Sequence, residues 1–211
     1  MTIVNERPLV DGPVDAGIVL ILAHGAGQGP DSDFMAQMAV RLAAGGVRVV
    51  RPRFPYMARA AAEGRRRPPD REPVLLDALR ATLMSERRGA APVMVGGKSM
   101  GGRIAAMLAD KADAAGLVCL GYPFHPPGKP ERTRLEPLAA LRTPALICQG
   151  ERDPFGSYAE VEGYALGDNP RVVWIADGEH SFKPRKSSGR TWAQNLDAAS
   201  AAVLAFLRGL G

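Results

Sequence analysis

Pro92-Val93-Met94-Val95-Gly96-Gly97-Lys98-Ser99-Met100-Gly101-Gly102-Arg103-Ile104 is the stretch that decides the fold. Val93 to Val95 is a short apolar run, two of its three residues β-branched, and predicts a buried strand. A glycine-flanked serine follows at once, and apolar residues at helical spacing continue from Ile104 to Ala112. Gly97-x-Ser99-x-Gly101 at such a strand-to-helix junction is the pattern of a nucleophile elbow. The glycines are needed because the chain reverses sharply and a Cβ at either flank would collide with neighbouring backbone. The turn lifts Ser99 Oγ above the sheet edge and aims the first helical N–H groups at the same point, where developing negative charge is stabilised. The pentapeptide alone also arises by chance or as a simple turn, so its weight comes from its setting. Gly97-Lys98-Ser99 copies the end of a phosphate-binding Gly-x-x-x-x-Gly-Lys-Ser loop as well. That loop needs glycine where Pro92 stands and irregular chain where Val93 to Val95 reads as strand, and both requirements fail.

Working outward, short apolar runs alternate with longer amphipathic ones. Gly17-Ile18-Val19-Leu20-Ile21-Leu22-Ala23 reads as a strand buried on both faces, as do Val47 to Val50, Leu117 to Leu120, Ala145 to Cys148 and Val172 to Ile175. Helical spacing covers Asp33 to Leu42, stopped by Gly45-Gly46, then Val74 to Met84, and finally about Thr191 to Leu210. The last of these carries Trp192, Leu196, Ala199, Val203 and Leu207 near one face. Alternation of this kind calls for an α/β fold, with a parallel sheet covered on both sides. Right-handed crossovers then bring every strand's C-terminal end to one edge, so residues just after each strand converge in space. No repeat or compositional boundary divides the chain, and residues 1–211 read as a single domain. Residues 1–16 form a lead-in with one possible edge strand, Ile3 to Val10. Phe54 to Pro73 and Tyr122 to Glu136, rich in Pro, Gly and Arg, read as irregular loops over the catalytic edge.

Of the 211 residues 46% are apolar and 23% charged, which suits a globular chain and not a disordered one. The net charge of +5 owes much to Arg51, Arg53, Arg59, Arg65, Arg66, Arg67 and Arg71. Pro68 and Pro69 interrupt that run, and its aromatics Phe54 and Tyr56 lie apart from the densest arginines. It reads as a solvated loop, and no nucleic-acid partner is expected. Cys119 and Cys148 sit inside apolar runs and read as buried thiols; a disulfide is geometrically possible if those runs are neighbouring strands. Met1 to Pro8 has no signal-peptide layout, and no apolar stretch approaches the roughly 20 residues that span a bilayer. A soluble cytoplasmic protein without a membrane partner is expected, with its oligomeric state left open.

A serine hydroxyl needs a base to become a useful nucleophile. Only three histidines are available. His180, in Asp177-Gly178-Glu179-His180-Ser181-Phe182 after the last strand, falls on the same edge as Ser99 and is the best base. A lone loop histidine is ordinarily just exposed, so position carries the choice. Asp153, beyond the Ala145 strand, is the candidate acid that orients the base. Its neighbour Pro154 makes it an ordinary turn former too, and Glu151 and Asp177 are rivals. The chain order Ser99, Asp153, His180 is the one that accompanies a nucleophile elbow. His24-Gly25-Ala26-Gly27 follows the first buried strand, where a second oxyanion donor belongs. Ala26 N–H joins Met100 N–H in that role, Gly25 lies against substrate, and His24 braces the loop. Tyr122, Phe124 and His125 follow the Leu117 strand, and Tyr122 and Phe124 are expected to contact substrate. Lys98 and Arg103 could attract an acidic substrate. The favoured reading has Lys98 bracing the elbow and Arg103 in an ion pair. No cofactor or metal is called for.

His24 to Gly27, Gly97 to Arg103, Gln149-Gly150-Glu151-Arg152-Asp153-Pro154-Phe155-Gly156 and Gly178 to Phe182 together resemble the α/β-hydrolase superfamily. More narrowly they are similar to small hydrolases named after a testis-expressed protein, close to dienelactone-hydrolase-like proteins. The likeness runs from about Gly17 to Leu210. It implies an uncapped hydrolase core with a Ser-Asp-His triad on the residues already picked; with the runs counted above, a three-layer core of about six parallel strands with helices on both faces is expected. The chain departs from the family in its reduced N-terminal strands and in having no inserted cap, which favours a shallow site over a lipid tunnel. The function implied is a cofactor-free serine hydrolase cleaving a small carboxylic ester or thioester through an acyl-serine intermediate. The alternative is a catalytically silent binding or scaffold protein on the same fold.

Overall fold

A computed structural model of the chain describes residues 7–87, 89 and 91–210. Along it run β1 (Leu9–Asp11), β2 (Val19–Ala23), α1 (Asp33–Ala44), β3 (Arg48–Arg51), α2 (Pro55–Glu63), α3 (Glu72–Glu86), β4 (Val93–Lys98) and α4 (Met100–Ala109). Then come β5 (Leu117–Leu120), α5 (Glu136–Ala139), β6 (Ala145–Gly150), α6 (Tyr158–Val161), β7 (Pro170–Ile175) and α7 (Trp192–Arg208). The strands form one sheet in the order β1-β3-β2-β4-β5-β6-β7, parallel from β3 to β7 and closed at one edge by antiparallel β1. The six expected parallel strands are all present. The edge strand lies at Leu9–Asp11, pairing with Val49 to Arg51; residues 3–6 of the expected one fall outside the described residues.

The central strands β2, β4, β5 and β6 are buried along their whole length. That is why they read as unbroken apolar runs rather than alternating ones. Successive side chains still leave on opposite faces. Val19, Ile21, Val95, Leu117 and Ile147 meet Leu75, Leu79 and Leu83 of α3 and Ile104 and Leu108 of α4. Leu20, Leu22, Met94, Val118 and Leu146 meet Phe34, Met38 and Leu42 of α1 and Leu196, Ala199, Val203 and Leu207 of α7. The same alternation decides the cysteines. β5 and β6 are neighbours, but Cys119 pairs with Ile147 and Cys148 with Leu120. The one-residue offset puts the two thiols on opposite faces, where both are free and buried.

One expected loop contains a helix. Within Phe54 to Pro73, α2 starts with Pro55 at its first position and ends at Gly64, in the left-handed region at φ 63°. Only Tyr56 and Ala58 of α2 are buried, so the apolar stripe is too narrow to announce itself. Arg65, Arg66 and Arg71 are exposed, in line with a solvated loop, but several arginines of the run are paired. Arg51 is buried, bonded to Asp11 (2.8 Å) and to Pro30 O (2.5 Å), Arg59 pairs with Asp70, and Arg65 and Arg67 share Glu63. Tyr122 to Glu136 is irregular, as expected, up to the start of α5. No helix among the described residues is long and apolar enough to cross a membrane.

Between β4 and α4 stands Ser99, with φ 52° and ψ −116°. A Cβ on Gly97 would come within 2.5 Å of Gly101 C and 2.6 Å of Ala23 O, and one on Gly101 within 2.7 Å of His24 O. Real Cβ atoms do not approach backbone so closely, so Gly101→Ala should destabilise the chain by on the order of 3 kcal/mol. Ser99→Gly should do the opposite. The serine's conformation costs about 1–3 kcal/mol, more than the extra chain entropy of a glycine at about 0.5–1 kcal/mol. Thermal unfolding followed by circular dichroism should show a higher midpoint for Ser99→Gly; a lower one would mean that the elbow stores no strain.

Candidate active site

The edge formed by the C-terminal ends of the strands brings Ser99, His180 and Asp153 into one hydrogen-bonded line. His180 Nε2 lies 2.9 Å from Ser99 Oγ, and His180 Nδ1 lies 2.8 Å from Asp153 Oδ2. With Nδ1–H donated to the carboxylate, the Nε2 lone pair is left to accept the serine hydroxyl. Burial holds the His180 pKa below its ordinary 6.5, with the Asp153 hydrogen bond pulling the other way and the Lys98 charge adding to the lowering. The half-buried Phe155 ring lies over the imidazole, 4.2 Å between centroids at 31°.

Asp153 is fully buried, and both its oxygens accept hydrogen bonds. Oδ1 accepts from Phe155 N (2.9 Å), while Oδ2 accepts from Gln149 Nε2 (3.0 Å) as well as from His180. Gln149 is itself buried and locked, with Oε1 taking Tyr122 N at 2.8 Å and Nε2 facing Gly156 O at 3.1 Å. The sequence reading passed over Gln149; a buried amide at the end of an otherwise apolar strand was the available signal. The rival carboxylates are engaged elsewhere. Glu151 accepts from Asp177 N (2.7 Å), and Asp177 accepts from Arg185 N (2.7 Å) and Arg185 Nε (2.8 Å). His125 is buried in its loop with Nδ1 2.9 Å from Pro126 O.

Beside the serine passes the loop after β2. A Cβ on Gly25 would lie 3.7 Å from Ser99 Cβ. His24 braces this loop as expected: it is fully buried, Nδ1 donates to Gly25 O (2.8 Å) and Nε2 accepts from Phe54 N (3.0 Å). Burial lowers its pKa, in keeping with a neutral ring. Tyr56 Oη lies 3.2 Å from Gly25 O and 2.9 Å from Ala26 O. A trans peptide directs its N–H opposite to its C=O, so Ala26 N–H points away from His24 and Tyr56. Met100 N–H, first in α4, has no intrahelical acceptor. Tyr56 was missed by the sequence reading because it sits in the stretch read as irregular.

Tyr122 and Phe124 are not where substrate could meet them. Both are fully buried, their rings 5.0 Å apart, and Tyr122 Oη donates to Arg134 O (2.9 Å). Phe124 fills the space against Gly156, where a Cβ would come within 2.6 Å of its ring. Past the strand end the chain turns these large rings under the loop that carries Asp153, where their apolar area is hidden from water. Arg103 pairs with Glu72 at 3.1 Å, tying α4 to α3, and buried Lys98 donates to His180 O at 2.6 Å. Arg103 thus forms the ion pair expected of it, whereas Lys98, expected to brace the elbow, instead holds the loop that carries His180. No group of three or more His, Cys, Asp or Glu side chains among the described residues could hold a metal ion.

A family profile described as an alpha/beta hydrolase domain matches residues 16–208. Among solved structures, a serine hydrolase without lid from Xanthomonas campestris superposes with a TM-score of 0.70 at 21% identity, over 94% of this chain and 88% of that one. Est1E from Butyrivibrio proteoclasticus, solved with ferulic acid bound, gives 0.70 at 15% over 96% and 95%. Dienelactone hydrolase from Anabaena variabilis gives 0.69 at 19% over 99% and 94%. At such identities these likenesses speak for the fold. With the profile spanning nearly every element from β2 to α7, the chain belongs to the α/β-hydrolase family.

Proposed function

We propose that this chain is a serine hydrolase that cleaves a small carboxylic ester or thioester through an acyl-serine intermediate, and that it acts as a single domain. The observation that carries the reading is the unbroken line from Ser99 Oγ through the His180 ring to Asp153, at 2.9 and 2.8 Å. Ser99 Oγ attacks the acyl carbon while its proton passes to His180 Nε2. Asp153 holds Nδ1–H and stabilises the imidazolium. The oxyanion is received by the N–H groups of Ala26 and Met100. His180 then protonates the leaving alkoxide or thiolate. It next takes a proton from water, whose oxygen attacks the acyl carbon, and the departing Ser99 Oγ is reprotonated as the acid leaves. Gly25 supports the reading by leaving the approach to Ser99 open, and Phe155 offers an apolar wall beside the base. A small molecule is the proposed partner, with no nucleic acid or membrane, in keeping with an open edge that carries no inserted helical domain. The ferulic acid bound by Est1E makes short aromatic acyl esters sensible first compounds. The narrower placement among the small testis-expressed-protein-like hydrolases belongs to the same proposal.

A fluorophosphonate probe should label the folded protein at Ser99 and fail on Ser99→Ala; an unlabelled folded wild type would sink the reading. On p-nitrophenyl esters or acyl-CoA thioesters, His180→Ala and Asp153→Asn should each lose on the order of 10⁴-fold in kcat. Because the free enzyme needs neutral His180 and its pKa is lowered, activity should persist to more acidic pH than ordinary imidazole allows. The acid limb of kcat/KM should therefore have its midpoint below 6.5, and a midpoint above it would contradict this assignment. Tyr56→Phe frees the Ala26 carbonyl and leaves Gly25 O to His24 alone, and should lower kcat about tenfold, less than the loss of an oxyanion donor itself, with KM little changed. Equal losses in kcat and stability-corrected active fraction would instead mark Tyr56 as a packing residue only.

A further inference from the structure

Beneath the elbow lies a charge that the proposed reaction does not use. Lys98 ends β4, is buried, and reaches across to the loop after β7, where Nζ donates to His180 O at 2.6 Å. On its way it passes Gly121, just beyond β5. A Cβ there would stand 2.9 Å from His180 O, 3.0 Å from Lys98 Nζ and 3.3 Å from His180 Nδ1. The ammonium and the base thus face a single gap no larger than a methyl group, kept open by a glycine at φ 65°. On the other side Lys98 Nζ lies 5.4 Å from the centre of the Phe34 ring of α1. Asp153 and Glu179 are the carboxylates in its field, but among the described residues none is within ion-pair distance of it. A buried cation held by a carbonyl and a ring, and not by a carboxylate, is costly to fold. Burial accordingly pushes the Lys98 pKa down to about 7.

We infer that Lys98 is a positioning residue for His180: its ammonium fixes the backbone carbonyl of the base, and its charge biases the imidazole toward the neutral form that accepts the Ser99 proton. The inference rests on the reading of His180 as base. Asp153 and Glu179 both favour the imidazolium, and Asp153 must do so during the reaction. Left unopposed they would also favour it in the resting enzyme. Burial is the larger effect that opposes them, and Lys98, the cation that faces the ring from β4, adds to it. The rings beside the two groups, Phe34 against Lys98 and Phe155 against His180, carry no charge.

Two variants separate the two effects. Lys98→Met keeps the length but removes charge and donor, while Lys98→Gln removes the charge and keeps an N–H donor. The acid limb of kcat/KM should move to higher pH by about one unit in both, as expected when a nearby like charge is lost. Lys98→Met alone should also lose about tenfold in kcat on the plateau. Imidazole titration followed by 15N NMR, with the His180 signal identified by its loss in His180→Ala, should show the same upward shift without any substrate. Folded variants in which His180 titrates as in the wild type would overturn the inference. If neither variant folds, the wild type decides: the Lys98 Nζ signal should respond at the His180 midpoint, and an unresponsive signal would equally overturn it. Failure of fluorophosphonate labelling in the wild type would refute the hydrolase reading instead, leaving the NMR coupling between Lys98 and His180 intact or absent on its own account.

Discussion

Three stretches of backbone meet at Ser99 with no room for a side chain between them: the end of β2, the turn after β4 and the first turn of α4. Gly97 pairs with Ala23 in the sheet, and a Cβ on Gly97 would overlap both Ala23 O and Gly101 C. This close approach sets the rest of the edge. It brings the His24–Ala26 loop against the serine and holds Ser99 at a positive φ of 52° where the chain enters α4. A sheet and helix packed at ordinary side-chain distance would separate the loop from the serine by the width of a methyl group. That is enough to take a hydrogen-bond donor out of range.

Once the serine is fixed, the remaining members have to be carried to it by loops, and loops hold position only where their polar groups are satisfied. The loop after β6 is anchored through Gln149, which bridges Tyr122, Gly156 and Asp153. The loop after β7 is anchored by Lys98 at the His180 carbonyl and by Arg152 Nε, which donates to Asp177 O at 3.0 Å. The loop after β2 hangs from His24 and Tyr56. His24, Tyr56, Gln149 and Lys98 are themselves buried, and of the residues they hold Asp153 is buried too while His180 and the Gly25–Ala26 turn lie nearer the surface. Precision at the edge is thus borrowed from the core.

That division explains what could be read from the sequence. The four central parallel strands were legible because burial on both faces leaves an unbroken apolar signature, β3 and the half-exposed β7 by their short β-branched runs, and the order of Ser99, Asp153 and His180 was legible because each follows one of these strands. The anchors were not. Gln149 looks like the polar end of a strand, and Tyr56 lies in α2, whose buried stripe is two residues wide. Tyr122 and Phe124 were read as contacting substrate because strand ends point to the edge. The chain after β5 instead folds both rings beneath the Asp153 loop, and no periodicity survives past a strand end to report that turn. The cysteine pair shows the same limit from the other side. Adjacency of β5 and β6 was foreseeable, whereas the one-residue register that sends the thiols to opposite faces is set by pairing along the whole sheet.

The energetic costs of this fold also gather at that edge. Ser99 is strained, Asp153 is a fully buried carboxylate, and Lys98 is a buried cation without a carboxylate at ion-pair distance among the described residues. Each would be cheaper to replace by an apolar or flexible residue if stability were the sole requirement. Their proximity makes them partly compensating, since Asp153 lies in the field of Lys98 and both lie in the field of His180. A half-exposed histidine with one exposed carboxylate would need none of this, but water would screen their interaction. Burying the group makes each charge act strongly on the others. The protonation state of His180 is then set by Asp153 and Glu179 against burial and Lys98, and much less by the surrounding solvent.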